Sequence, residues 1–198
     1  DRKYSNLGFG LLGHVLERVS GLSYEQLLQT RILDPAGMKN SRLLDYNDPK
    51  FLARLVKPRL LGVGSKEVAR TKLRKRMAAS GGLATTAADL ARFGSTLIQP
   101  GSPILDEKHQ VMLTNDNEVG KTKSKVDSAF GRIREWEGIG RVVRKNGGRQ
   151  GADGFIVICP ERKMVVAVVA NRSVGQMEGS THDIAKKILG WALTDKKD

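Results

Sequence analysis

Cysteine is nearly missing from this sequence: its 198 residues contain one, Cys159. A single thiol cannot close an intrachain disulfide, so packing alone must hold the fold. Cys159 ends the apolar run GFIVICPE and reads as a small buried hydrophobe rather than a reactive thiol. Histidine is scarce as well. His14, His109 and His182 lie far apart, none falls in a His-Glu-x-x-His pattern, and no second cysteine exists to join them. A catalytic zinc is therefore not expected. Long apolar runs are absent: the longest, MVVAVVA at Met164 to Ala170, is strand-sized and falls far short of the roughly 20 residues that span a bilayer. No membrane span is expected. The chain opens on Asp1-Arg2-Lys3-Tyr4 with neither methionine nor an apolar signal region, so a segment upstream is expected to have been lost, and this end leaves the compartment open.

Acidic residues are in short supply, 21 Asp+Glu against 34 Lys+Arg, for a net charge of +13. Part of the excess is local. Lys57, Arg59, Lys66, Arg70, Lys72, Arg74, Lys75 and Arg76 are opposed within their stretch by Glu67 alone. The run has no interleaved aromatics, no helix-turn-helix pattern and no zinc spacing, so it reads as a solvated basic face, and nucleic acid is not expected as a partner. The glycine-rich GGRQGADG leads from strand to strand instead of opening a helix, and no Lys-Ser/Thr follows it. A phosphate-binding loop is thereby excluded.

What is present divides the chain by pattern. Leu7, Leu11, Leu12, Val15, Leu16 and Val19 follow helical spacing up to a stop at Gly21. Ser23 and Gln26 form a capping box for a second helix, and Asp34, placed before Pro35, is expected to leave helical geometry and end it. Lys39 to Ala79 is polar and basic, a surface excursion with one or two short helices. Gly81-Gly82 turn the chain into a third helix capped by Thr86, with Leu90, Phe93, Leu97 and Ile98 on one face. A loop and a short helix follow over QPGSPILDEKHQVML. The last third then changes to short runs rich in valine, isoleucine and aromatics: FGRIREWEG, RVVRKNGG, DGFIVICPE and KMVVAVVANR. These predict three or four strands of an antiparallel meander, with a hairpin loop at Pro160 to Lys163, closed by a helix over Asp183 to Leu193. The whole predicts one domain over residues 1–198, an α/β (α+β layered) fold with helices packed on an antiparallel sheet.

Two polar groups carry candidate chemistry. Tyr4-Ser5-Asn6 stands at the mouth of the first helix, and Lys145-Asn146-Gly147-Gly148 at the end of a strand. A lysine ammonium near a phenol favours phenolate, and such a tyrosine can take a proton from a serine hydroxyl and return it. An asparagine can hold a substrate amide. Glycines after the lysine let a substrate backbone lie along the strand, where a backbone N–H can donate to an oxyanion.

Read in order, YSNLGFGLLGHVLERVSGLSYEQLLQTRILDPAGMKNSRL, then SGGLATTAADLARFG, then KNGGRQGADGFIVICPE resemble the penicillin-recognising serine hydrolases, the group of class C β-lactamases, DD-peptidases and serine esterases. The resemblance covers most of the chain, with Lys39 to Ala79 and Gln99 to Ser128 the weakest parts. It implies a β-lactamase/transpeptidase-like sheet flanked by helices on both faces, with an all-helical part beside it. It also implies a serine nucleophile acylated by a β-lactam, peptide or ester, with no cofactor. Tyr4 matches the family's general base and Asn6 its substrate-contacting asparagine. Lys145-Asn146-Gly147 matches the Lys-Thr-Gly motif, with Asn146 in place of the threonine, and Gly148 matches the oxyanion-hole position. A periplasmic or secreted location is suggested by the resemblance alone.

The family's nucleophile lies in a Ser-x-x-Lys motif, and no Ser-x-x-Lys occurs anywhere in the 198 residues. Two Thr-x-x-Lys matches, Thr122 to Lys125 and Thr194 to Lys197, fall in polar stretches and read as chance. The N-terminal strands that family sheets place beside the last strand are also missing, which leaves Met164 to Ala170 with an expected open edge. The sequence therefore predicts the C-terminal part of a serine hydrolase acting on a small-molecule or peptide substrate. Its nucleophile would come from a complementing N-terminal chain or a swapped protomer. The alternative is a non-catalytic scaffold or interaction subunit on the same fold.

Overall fold

The computed structural model describes residues 4–60, 67, 75–114, 126–127, 130–173 and 180–194. Ser5 accepts the Gly8 N–H at 3.0 Å and starts α1 (Asn6–Ser20), which stops at Gly21 in the left-handed region, φ 70°. The Ser23–Gln26 capping box is formed in both directions and opens α2 (Tyr24–Leu28), which runs on into a π-helical turn (Gln29–Leu33). The helix ends there as expected, with Asp34 as its C-cap, but the expected departure of Asp34 from helical geometry is corrected. Its backbone stays helical at φ −65°, ψ −50°, because its N–H bonds the Gln29 carbonyl five residues back and the widened turn accommodates Pro35. The chain leaves helical geometry at Gly37 instead, φ 65°.

The surface excursion contains more order than its pattern suggested. β1 (Arg42–Leu43) pairs antiparallel with β3 (Leu83–Ala84); α3 (Pro49–Arg54) follows β1; and β2 (Arg59–Leu60) pairs in parallel with β9 (Arg172–Ser173). A 3₁₀ turn over Lys75–Ser80 comes before β3. Most of the basic run from Lys57 to Arg76 lies outside the described residues, as do the two Thr-x-x-Lys matches in large part. Within the run, Lys57 pairs with Glu67 at 3.2 Å on the surface.

The centre is a five-stranded antiparallel meander in the order β4 (Val126–Asp127), β5 (Arg132–Trp136), β6 (Gly140–Arg149), β7 (Ala152–Cys159), β8 (Met164–Ala170). α4 (Ala87–Ile98) covers one face and α6 (Thr181–Thr194) the other, with α5 (Glu107–Thr114) following α4. β7 shows why. Its residues Phe155 to Cys159 are all buried, so both pleats need a covering layer. Phe155, Val157 and Cys159 pack with Trp136, Val142, Ala185 and Leu189 on the α6 side. Ile156 and Ile158 pack with Leu97, Leu90, Phe93 and Val165 on the α4 side. Cys159 is therefore the small buried hydrophobe its run implied, and burial pushes its thiol pKa up.

Gly94 lets α4 lie close on the sheet: a Cβ there would stand 2.6 Å from Val165 Cγ1 and 2.9 Å from Ile156 Cδ1. Gly94→Val is expected to cost about 1–3 kcal/mol by overpacking. Urea denaturation measures it, and an unchanged midpoint would refute the close approach.

Two surfaces stay open. β8 ends the sheet order, and among the described residues no strand pairs along its outer edge. α1 buries Gly10 and Gly13 against the 3₁₀ turn, where a Cβ on Gly13 would meet Ala79 Cβ at 2.5 Å. Its apolar residues Leu7, Leu11, Leu12, Val15, Leu16 and Val19 are instead 46–81% exposed. The helical spacing calls for a buried face, and no described element supplies its cover.

Candidate active site

Tyr4 precedes the capping residue of α1, and Phe9 is four positions inside the helix. Their rings meet at 5.5 Å, a staple between N′ and N4 that fixes how the chain enters α1. Local sequence thus places the phenol at the helix mouth, where its side chain is 66% exposed. Lys145 comes from the other end of the chain. On β6 it stands opposite Ile156, so it shares a pleat with Val143 and Gly147 on the α4 side of the sheet. Its ammonium lies 5.0 Å from the centre of the Tyr4 ring and 5.7 Å from that of Phe9. Both distances fall within the range at which a cation is held over an aromatic face.

Beyond Arg144 a described strand pairs with β6 on one side only, while Gly131 lies against Arg144 and Lys145 on the other. β5 pairs with β6 over Gly140 to Arg144, and β7 pairs with it over Val143 to Arg149. From Lys145 to Arg149, β6 therefore has β7 on one side and no described strand on the other. Gly147 needs neither its small size nor unusual backbone geometry for the fold: a Cβ there would meet nothing within 4 Å, and its φ is not positive. It leaves clear space two residues along the strand from Lys145, on the same pleat. Gly148 stands opposite Asp153, and a Cβ on it would lie 3.4 Å from the Asp153 Oδ1.

The candidate residues are not all on one surface. Tyr4 and Lys145 are brought together, with Gly147 on the Lys145 pleat. Asn146 stands opposite Phe155 and Gly148 opposite Asp153, so both fall on the alternate pleat, toward α6. Asn6 is the first residue of α1 and is exposed. Two residues missed in the sequence belong to the neighbourhood. Phe9 was recoverable from the N′–N4 spacing. Arg149 shares the pleat of Lys145 and Gly147, and the Tyr46 hydroxyl accepts from its Nη1 at 3.1 Å; the two-residue period of KNGGR carries the first half of that arrangement.

Among the described residues no group of three His, Cys, Asp or Glu side chains comes together to hold a metal ion. No described helix is long and apolar enough to cross a membrane. An open depression on α4, lined by Ala88, Ala91, Arg92, Ser95 and Gln99, contains none of the candidate residues.

The family model described as Beta-lactamase matches residues 1–189. No curated protein matches the chain. Among solved structures, the octameric penicillin-binding protein homologue from Pyrococcus abyssi aligns with a TM-score of 0.76 at 23% identity, over 98% of this chain and 43% of its own. A D-amino acid amidase from Ochrobactrum anthropi aligns with a TM-score of 0.79 at 18% identity, over 99% of this chain and 58% of its own. A class C β-lactamase aligns with a TM-score of 0.73 at 17% identity, over all of this chain and 58% of its own. At these identities the structures share the fold, and this chain spans about half their length.

Proposed function

This chain belongs to the β-lactamase family, and on that premise we propose that it is part of a serine hydrolase that works through an acyl-enzyme on β-lactams, D-alanyl peptides or esters. Its own contribution is the general base and the strand motif, while the serine comes from another polypeptide segment. The observation that carries this reading is the Lys145 ammonium 5.0 Å from the Tyr4 ring. These residues stand 141 positions apart and meet at an exposed helix mouth.

In this reading Tyr4 takes the proton of the incoming serine hydroxyl as it attacks the substrate carbonyl and returns it to the leaving group. Tyr4 accepts that proton as phenolate, and the Lys145 ammonium supports the negative charge its oxygen carries before the first transfer and regains after the second. The stretch of β6 from Asn146 to Gly148, which no described strand pairs on its second side, accepts an extended substrate, and a backbone N–H there donates to the oxyanion. Asn6 and Asn146 are the candidates for holding the substrate amide. The segment that brings the serine also needs a place to dock. The uncovered apolar face of α1, which begins at Tyr4, and the free edge of β8 support such an addition.

Gly147 separates function from folding. Glycine inside a strand is destabilising, so Gly147→Ala is expected to leave stability in urea unchanged or raise it by up to about 1 kcal/mol. The same methyl group, facing open space beside Lys145, is expected to slow ester hydrolysis by the chain joined to a Ser-x-x-Lys segment by roughly tenfold or more. Full activity in Gly147→Ala would remove β6 from the substrate path.

A second reading has an observation of its own. The sequence holds no Ser-x-x-Lys, and the same two open surfaces would equally serve a scaffold subunit that binds a partner without catalysis. A stable complex with a partner chain, formed without any acylation, would favour it. A well-behaved monomer that takes up no strand-pairing partner would count against it.

A further inference from the structure

The sheet face under α6 gathers cations that the Tyr4–Lys145 site does not use. The register sets Arg132 opposite Arg144 and Arg134 opposite Val142, so Arg132, Arg134 and Arg144 share one pleat with Trp136. α6 brings two more groups to the same place. The His182 ring lies 5.5 Å from that of Trp136 and 5.1 Å from that of Phe155. The Lys186 ammonium is 5.8 Å from the Trp136 ring, and the Arg144 guanidinium is 5.9 Å from the Phe155 ring.

This arrangement carries two costs. Like charges directly across an antiparallel pair repel, and a charged donor buried without an acceptor is worse than a neutral one. Arg132 faces Arg144 directly, and Arg144 Nε and His182 Nε2 are both buried with no hydrogen-bond partner. The charged groups acting on Arg144 among the described residues are Arg134 and Arg132. Burial first, and then those two cations, hold its pKa below the usual guanidinium range. His182 is pushed down by burial, Arg144 and Lys186; Asp183, 3.5 Å from its Nδ1, opposes them.

No described ion pair joins an acid to Arg144, although the register puts one acid on its pleat. Asp127 stands opposite Arg132 on β4. Asp153 accepts from the Thr181 hydroxyl at 2.9 Å and from the Gly154 N–H at 3.0 Å.

We propose that this face is an oxyanion site, in which Arg144, His182 and Lys186, backed by Arg132 and Arg134, take up a phosphate group. Phosphate fits the donor set because guanidinium forks and an imidazolium match several oxygens at once, whereas a carboxylate leaves donors unused. The Trp136 and Phe155 rings form an apolar floor that excludes water from beneath the anion. A bound dianion favours the charged imidazole, so His182 takes up a proton as phosphate enters. The site lies on the opposite side of the sheet from Tyr4 and Lys145, and the inference stands independently of the hydrolase reading.

The test titrates inorganic phosphate into the full chain at constant ionic strength, with phenyl phosphate run in parallel. The expected result is saturable binding, a shift of the His182 ring resonances and a rise in the His182 pKa. Arg144→Gln is expected to weaken affinity roughly tenfold or more, and Arg144→Lys, which keeps the charge but loses the fork, by less. Lys108→Gln removes the same charge from the exposed surface of α5 and is expected to change nothing. Tighter binding of the monoester assigns the site to a phosphate carried on a larger molecule, and equal binding assigns it to the free ion. Non-saturable binding, or equal weakening in Arg144→Gln and Lys108→Gln, would show only diffuse attraction to a chain of net charge +13 and overturn the proposal.

Discussion

Lys145→Met is expected to slow acylation of the completed hydrolase by roughly 10²–10⁴-fold, the range general acid–base catalysis supplies. The ammonium lies 5.0 Å from the centre of the Tyr4 ring, and methionine keeps the length and apolar contacts of the stem while removing the charge. The fold should not notice. Lys145 lies at the half-buried end of β6, clear of the packed clusters around β7. The measurement is the acylation rate with a chromogenic ester, using this chain combined with a Ser-x-x-Lys segment, beside a urea melt of the variant. Tyr4→Phe should fall by a comparable factor, because its ring and staple with Phe9 remain and only the proton-carrying oxygen goes. A rate within threefold of the parent in both variants would mean that the pair is a packing contact.

The largest effect on stability is expected at Asp89, a fully buried residue of α4. Its carboxylate accepts from the Asn40 N–H at 2.7 Å, the Ser41 hydroxyl at 2.9 Å and Arg92 Nη1 at 2.8 Å. Through it, the stretch after the second helix is tied to α4 across 48 or 49 sequence positions. Asp89→Ala leaves the Asn40 N–H and a buried serine hydroxyl without that acceptor. Each buried donor left without an acceptor costs about 1–3 kcal/mol, while the Arg92 pair adds little because the arginine side chain is 55% exposed. Asp89→Asn keeps the shape but loses the charge and presents an amide donor, so an intermediate loss is expected. Chemical denaturation decides, and a loss below 1 kcal/mol in Asp89→Ala would show that the surrounding groups find other partners.

Asp89 also marks a limit of sequence reading. Thr86 and Asp89 are recognisable as a cap and a first-turn acid, but nothing local says that the acid turns inward to residues 40 and 41. The legible parts share a reason: their causes are local. Ser5, Ser23 and Thr86 cap helices because each side-chain oxygen satisfies a free N–H three residues on. The uninterrupted apolar run of β7 required cover on both faces, and α4 and α6 supply it.

What was not legible depends on partners distant in sequence. The two-residue ladders β1–β3 and β2–β9 have too few residues to show a period. Asp34 stayed helical because its N–H bonds the Gln29 carbonyl in a π turn, which overrode the preference of a residue before proline. At the candidate site, Tyr4 and Lys145 could be named from their motifs, but their contact depends on the docking of α1. The division of Asn146 from Lys145 by the pleat follows from register. The apolar stripe of α1 was visible as a pattern, yet the pattern could not tell that glycine, and not leucine, forms its buried face.

The central claim is that this chain carries a general base and a substrate strand but no nucleophile. Labelling with a fluorescent penicillin tests it most directly, first on the 198-residue chain alone and then with an added segment bearing Ser-x-x-Lys. The account predicts no covalent label on the chain alone, and a stoichiometric label on the serine of the added segment that is lost in Lys145→Met. Stoichiometric labelling of the isolated chain would contradict it, because a nucleophile would then lie within these residues.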